Sequence, residues 1–215
     1  MKLDQWESQF FAEISKIASN DDPAHDICHF RRVVNLAKNL CRKESADENI
    51  VVPAAWLHDM VIVPKDSPLR SKASQLSAKK ALEFLRAIQY PSEYFAVIEN
   101  AIEAHSFSAN IEAKSLEARI VQDADRLDGL GAIGIARCFA TAGLLKRAFY
   151  EIEDPFCDER EPNDAEFTID HFYKKLFKTA ETLKTKSGIE EGRKRVLVMK
   201  NYLDSLRGEI SEGAI

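Results

Sequence analysis

The residues best suited to chemistry are His29, the pair His58-Asp59 and a carboxylate in Asp123-Ala124-Asp125-Arg126-Leu127. His58-Asp59 closes the apolar run Ala54-Ala55-Trp56-Leu57, where ionisable side chains are seldom kept unless something neutralises them. Two imidazoles and two carboxylates form a donor set for one divalent metal ion, Mn²⁺, Co²⁺, Ni²⁺, Mg²⁺ or Fe²⁺, whereas a structural zinc normally draws thiolates. Four protein ligands on an octahedral ion leave two places for water or a substrate oxygen. That is the arrangement of metal-assisted hydrolysis, in which the ion polarises a phosphoryl oxygen and lowers the pKa of a bound water. Two carboxylates cancel the charge of the ion, so a polyphosphate needs further cations along its approach.

Each part of the pattern also has an ordinary explanation. An inward-facing histidine is more often a hydrogen-bonded core residue than a ligand. A His-Asp dipeptide is weak alone, because His25-Asp26 is a second one in a polar stretch. The pattern gains weight as a whole: His29 one turn before Val33 on an inward helix face, then His58-Asp59 after an apolar run, then a carboxylate in an Ala-Asp-Arg-Leu setting.

Hydrolysis at phosphorus also needs a proton acceptor and cations for the transferring oxygens. The catalytic candidates are Asp59, His105 and Glu103. Lys65 and Arg70, in the stretch immediately after His58-Asp59, are the first choices for phosphate contacts; Arg126, Lys174 and Lys175 follow. His25 is placed to orient a substrate or to cap a helix. Asp123, two residues before Asp125, points about 160° away from it on a helix and suits capping as well as catalysis. Tyr150 and Phe156 are candidates for base stacking or for ordinary packing.

The elements that must position these groups read as helices. Leu3, Trp6, Phe10, Ile14 and Ile17 recur at helical spacing. A second helix is predicted from near His25, burying Val33, Val34, Ala37 and Leu40. A third covers Asn49 to Met60, with Pro53 forcing a start or a kink. Neighbouring helical side chains diverge by about 100°, so His58 and Asp59 share one ion only where that helix ends or bends. The two prolines of Val61 to Arg70 supply that ending. Further helices are predicted over Ser71–Ile88, Pro91–His105 and Ser115–Asp128; the small-residue-rich stretch Gly129–Leu145 is expected to pack closely against the core, and two closing helices are predicted over Ile169–Thr185 and Glu190–Arg207, divided by Gly188. The polar, turn-rich stretch 150–166 reads as a lid or insertion. Ile50-Val51-Val52 and Val61-Ile62-Val63 are strand-like but too short to build a sheet. The expected class is all-α, a single-domain helical bundle over 1–215 with its core in about 20–145.

At 215 residues, 45% hydrophobic and 30% charged, the chain can bury one substantial core. A formal net charge of -5 gives no overall attraction to nucleic acid or an anionic membrane. Cys28, Cys41, Cys138 and Cys157 contain no CxxC pair and read as reduced thiols. With no signal-like N-terminus and no uninterrupted run of roughly 18 apolar residues, the expected location is the cytoplasm, without a membrane partner. The apolar residues outside the helical stripes define no dimer face, which leaves a homo-oligomer open.

The stretches His25-Asp26-Ile27-Cys28-His29-Phe30-Arg31-Arg32-Val33, Ala55-Trp56-Leu57-His58-Asp59 and Asp123-Ala124-Asp125-Arg126-Leu127-Asp128 resemble the HD superfamily of metal-dependent phosphohydrolases. The resemblance implies His29, His58, Asp59 and Asp125 as metal ligands, selecting His29 over His25 and Asp125 over Asp123. Residues 63–70, 104–108, 131–137 and 170–176 extend the likeness to a small bacterial branch, some of whose members are nucleotide pyrophosphohydrolases. The expected activity is therefore hydrolysis of a nucleotide, with cleavage of (deoxy)nucleoside triphosphates to monophosphate and pyrophosphate as its most specific form. The same ligands would serve a mononucleotide, alarmone or cyclic-nucleotide hydrolase. A di-iron oxygenase needs more histidines than His105 between His58-Asp59 and Asp125, and a non-catalytic nucleotide sensor would bind without turnover.

Overall fold

In a computed structural model, residues 3–18, 26–63 and 67–212 are described, and among them the chain is all-α, without strands beyond one isolated backbone bridge between Ala148 and Phe167. The chain forms two compact units: the first runs to Asp125 and includes Lys184–Gly188, and the second comprises Arg126–Leu183 and the chain from Ile189. Among the described residues no single helix is long and apolar enough to cross a membrane. The four cysteines are free thiols, as their spacing implied.

In the first unit, α1 (Leu3–Ile14) buries Trp6, Phe10 and Ile14, the stripe expected from its periodicity. It ends one turn before Ile17. Helix α2 (Ile27–Glu44) buries Val33, Val34, Ala37 and Leu40, and begins where the Asp26 carboxylate accepts the His29 N–H at 2.7 Å. The second His-Asp dipeptide thus supplies a helix cap. Ser45 closes the helix in the left-handed region at φ 56°.

Helix α3 (Glu48–Leu57) is buried from Ile50 to Leu57, so the strand-like Ile50-Val51-Val52 is a core helical segment. Pro53 lies in its interior rather than at its start. Proline cannot donate to the carbonyl four residues back. That carbonyl, of Asn49, is taken instead by the Tyr90 hydroxyl at 2.6 Å.

Helix α4 (Ala73–Ala87) packs on α5 (Phe95–His105), and α3 packs on α1, α2 and α5. The predicted start at Ser71 lies in a 3-10 turn, Arg70–Lys72, and the one at Pro91 is the cap of a second, Ser92–Tyr94, each ahead of the α-helix proper. Helix α6 (Leu116–Asp128) carries the last site residue.

In the second unit, α7 (Gly131–Leu144) is followed by the turn-rich stretch, a π-helical turn at Phe172–Leu176, α8 (Phe177–Glu181) and most of α9 (Lys186–Glu212). Two closing helices divided at Gly188 are not what forms: α9 runs through Gly188 in its first turn. A Cβ at Gly188 would collide with the Asp123 carboxylate and the Thr185 hydroxyl, so this glycine permits a close approach instead of breaking a helix.

The stretch 150–166 is irregular but fastened within the second unit. Asp154 accepts the N–H groups of Asp158, Glu159 and Arg160 at 2.9, 2.8 and 3.0 Å. Arg160 forms a two-point pair with Asp170 at 2.5 and 2.8 Å. Phe156 is buried, with the Arg207 guanidinium 4.2 Å from its ring centre, so the ring serves packing.

Candidate metal centre

Four helices of the first unit bring five donors together. Capping by Asp26 fixes His29 in the first turn of α2. His58 and Asp59 occupy the turn directly after α3, which resolves the divergence that a continuous helix would impose on neighbouring side chains. His105 is the last residue of α5, and Asp125 lies in the last turn of α6.

His29 Nε2 and His58 Nε2 are 3.3 Å apart, and Asp125 Oδ1 stands 3.7 Å from the first and 3.8 Å from the second. Asp59 reaches His58 Nε2 through Oδ2 at 3.6 Å and His105 Nε2 through Oδ1 at 3.4 Å. Two triads with donor atoms mutually within 4.8 Å result, His29-His58-Asp125 and His58-Asp59-His105. The histidines are buried, while the side chains of Asp59 and Asp125 are 18% and 28% exposed. The centre therefore opens to solvent on its carboxylate side.

The histidine orientations fit a cation. His58 Nδ1 lies 2.8 Å from the Ala55 carbonyl and His105 Nδ1 2.6 Å from that of Ile102. A carbonyl can only accept, so each Nδ1 carries the proton and donates. In neutral imidazoles this leaves the Nε2 lone pairs facing the centre, the orientation second-sphere bonds give to metal-binding histidines. Burial pushes His58 down to about 4, against the pull of Asp59, and keeps it neutral at physiological pH. Burial acts the same way on His105, but the hydrogen bond and charge of Asp59 outweigh it and carry that imidazole up to about 9. A proton thus holds His105 Nε2 against Asp59 Oδ1, a place that suits a cation equally well.

The other sequence candidates fall elsewhere. Glu103 has Glu99 and Lys114 as its charged neighbours; burial and then Glu99 raise its carboxyl, and it is not among the converging donors. Arg70 sits in the 3-10 turn before α4 and donates to the Val63 carbonyl at 2.8 Å, stapling the stretch after Asp59. Arg126 donates to the Thr182 carbonyl at 2.7 Å in the second unit, where Lys174 and Lys175 are exposed on the π-helical turn. His171 Nδ1 pairs with Asp164 at 2.8 Å in that unit. Tyr150 is half-buried there. His25 and Lys65 lie outside the described residues. Asp123 is fully buried and accepts the N–H groups of Lys184 and Thr185 and the Thr185 hydroxyl, so its role is structural.

Comparison with known proteins agrees with this geometry. The HD domain family profile matches residues 26–130, which contain all five converging residues. An HD-superfamily hydrolase from Bacillus thuringiensis has a crystal structure of TM-score 0.74 at 30% identity, covering 96% of this chain and 97% of that one. A crystal structure from Lactobacillus plantarum has a TM-score of 0.75 at 28% identity over 99% of this chain and 100% of the other. Bacillus subtilis YpgQ is 29% identical over 201 residues, 92% of this chain and 90% of YpgQ. Its crystal structure in complex with ADP has a TM-score of 0.71 at 27% identity, covering 95% of this chain and 97% of that one. With the histidine and aspartate donors converging inside the matched region, the chain belongs to the HD superfamily, among its hydrolases.

Proposed function

We propose that this protein is a metal-dependent phosphohydrolase acting on a nucleotide, and that its reaction is pyrophosphohydrolysis of (deoxy)nucleoside triphosphates. The observation carrying this reading is the convergence of His29, His58, Asp59 and Asp125, with the His58 Nε2 lone pair directed inward. The ADP complex of YpgQ supports a nucleotide as ligand.

In this reading those four residues hold one divalent ion, which when bound supplies Lewis acidity at a phosphoryl oxygen and lowers the pKa of water. Asp59 is the proposed proton acceptor, with His105 Nε2 as the partner of its Oδ1. Arg70, which uses only Nη1 in its Val63 contact, is the proposed phosphate donor. Lys65, in the same stretch, is the companion candidate.

The test is a nucleotide panel on protein stripped with chelator and resupplied with Mn²⁺, Co²⁺, Ni²⁺ or Mg²⁺, with orthophosphate and pyrophosphate quantified separately. Pyrophosphate from triphosphates is the expected product. Orthophosphate from monophosphates would move the assignment to a phosphatase, and tight binding without turnover would make the protein a sensor. The two triads share His58 Nε2, whose one lone pair serves one ion, so a metal-to-protein ratio near one is expected and a ratio near two would overturn this reading.

A further inference from the structure

Gln122 lies one helical turn before Asp125 on α6, so the two side chains share a face of that helix. Its Nε2 donates to the Ala104 carbonyl at 2.5 Å. Ala104 immediately precedes His105, at the end of α5, where the last four carbonyls have no partner inside the helix. Two of those carbonyls are claimed by side chains at the centre: Ile102 by His105 Nδ1 and Ala104 by Gln122 Nε2. The His105 ring is thereby tied to its own helix end, and that helix end is tied to the helix carrying Asp125.

The other half of the same amide argues against a purely stabilising role. Gln122 is only 2% exposed, and its Oε1 has no hydrogen-bond partner among the described residues. A buried acceptor left unmatched works against stability, and an apolar side chain of equal size would fill the space without that penalty. What an apolar side chain could not do is hold the Ala104 carbonyl.

We propose that Gln122 is a positioning residue: it fixes the end of α5, and with it His105, at a set distance from the Asp125 face of α6. The proposal rests on the metal-centre reading above, because the geometry it maintains is that of the donors.

Gln122→Met and Gln122→Leu test it, both keeping bulk and removing the amide. Mn²⁺ affinity is measured by electron paramagnetic resonance titration and folding by urea denaturation of each protein. The expected result is Mn²⁺ binding weakened roughly 10- to 100-fold, as for loss of a residue that orients metal ligands, with an unfolding midpoint close to that of the parent, because the stranded Ala104 carbonyl replaces the stranded Oε1. Should a folded variant bind Mn²⁺ as tightly as the parent, the proposal fails. Affinity that falls only in step with the midpoint marks a packing role and overturns it too. Two variants guard against one that misfolds. A parent protein that binds no Mn²⁺ removes the metal-centre reading itself, a failure visible before any variant is made.

Discussion

Asp123 and Asp125 project from opposite sides of α6 and serve opposite purposes. Asp125 meets the imidazoles of His29 and His58, whereas Asp123 is buried against Thr185, whose N–H and hydroxyl both donate to its Oδ2 at 2.7 Å. Asp123→Ala strands these buried donors and the Lys184 N–H, and should lower unfolding free energy by about 3 kcal/mol with Mn²⁺ affinity retained. Asp125→Ala should do the reverse, abolishing the Mn²⁺ signal with little change in urea midpoint. Paired titration and denaturation curves separate the two.

Asp59 reaches both His105 and His58, the residue the two triads share, so its removal should be felt across the centre. Asp59→Ala is expected to keep the circular dichroism spectrum of the parent and to lose turnover on the order of 10³-fold or more, since loss of the ion removes the Lewis acid. Turnover at the parent rate in the variant would sink the assignment of Asp59.

Tyr90 answers for the proline inside α3. In Tyr90→Phe the Asn49 carbonyl loses its donor within a buried setting, for an expected loss of about 1 to 2 kcal/mol in urea unfolding. Metal titration should be unchanged, because the altered bond lies two turns away from His58 along α3.

The Arg160-Asp170 pair sets an acid limit. Burial alone would raise the Asp170 carboxyl, but the Arg160 guanidinium and the Asn163 N–H hold it below the usual carboxylate range. A carboxyl with a folded-state pKa below its unfolded value contributes stability that is full above the unfolded value, near 3.8, and is lost as pH falls through the folded one. Urea midpoints should therefore decline as pH drops below about 4, and Asp170→Asn should flatten that decline while costing about 3 kcal/mol at neutral pH.

The donors were legible in the sequence because they violate the helical pattern around them: His29 sits on an apolar stripe, His58 ends an apolar run, and each needs a compensating partner. The buried faces of α1 and α2 followed from spacing alone. What spacing does not encode is the tertiary partner that changes a local rule. Pro53 reads as a helix start or kink until Tyr90, 37 residues on, supplies the missing donor. Gly188 reads as a break until Asp123 fills the space a side chain would need. Phe156 reads equally as a stacking or a packing ring, and Arg126 as a second-choice phosphate contact, until Arg207 and Thr182 engage them. Gln122 carried no periodic or charge signal, and only its contact with Ala104 reveals it.

Every converging donor is supplied by a helix or by the turn directly attached to one; among the described residues the stretches 61–69 and 106–114 supply none. In the proposed function, the residues that would hold the ion and the Lys65 and Arg70 candidates for phosphate therefore belong to different parts of the chain. If that function holds, exchanging a relative's 61–69 stretch into this chain is expected to change which compound is accepted with Mn²⁺ affinity retained, so that new substrates could be acquired without rebuilding the helices that carry the donors.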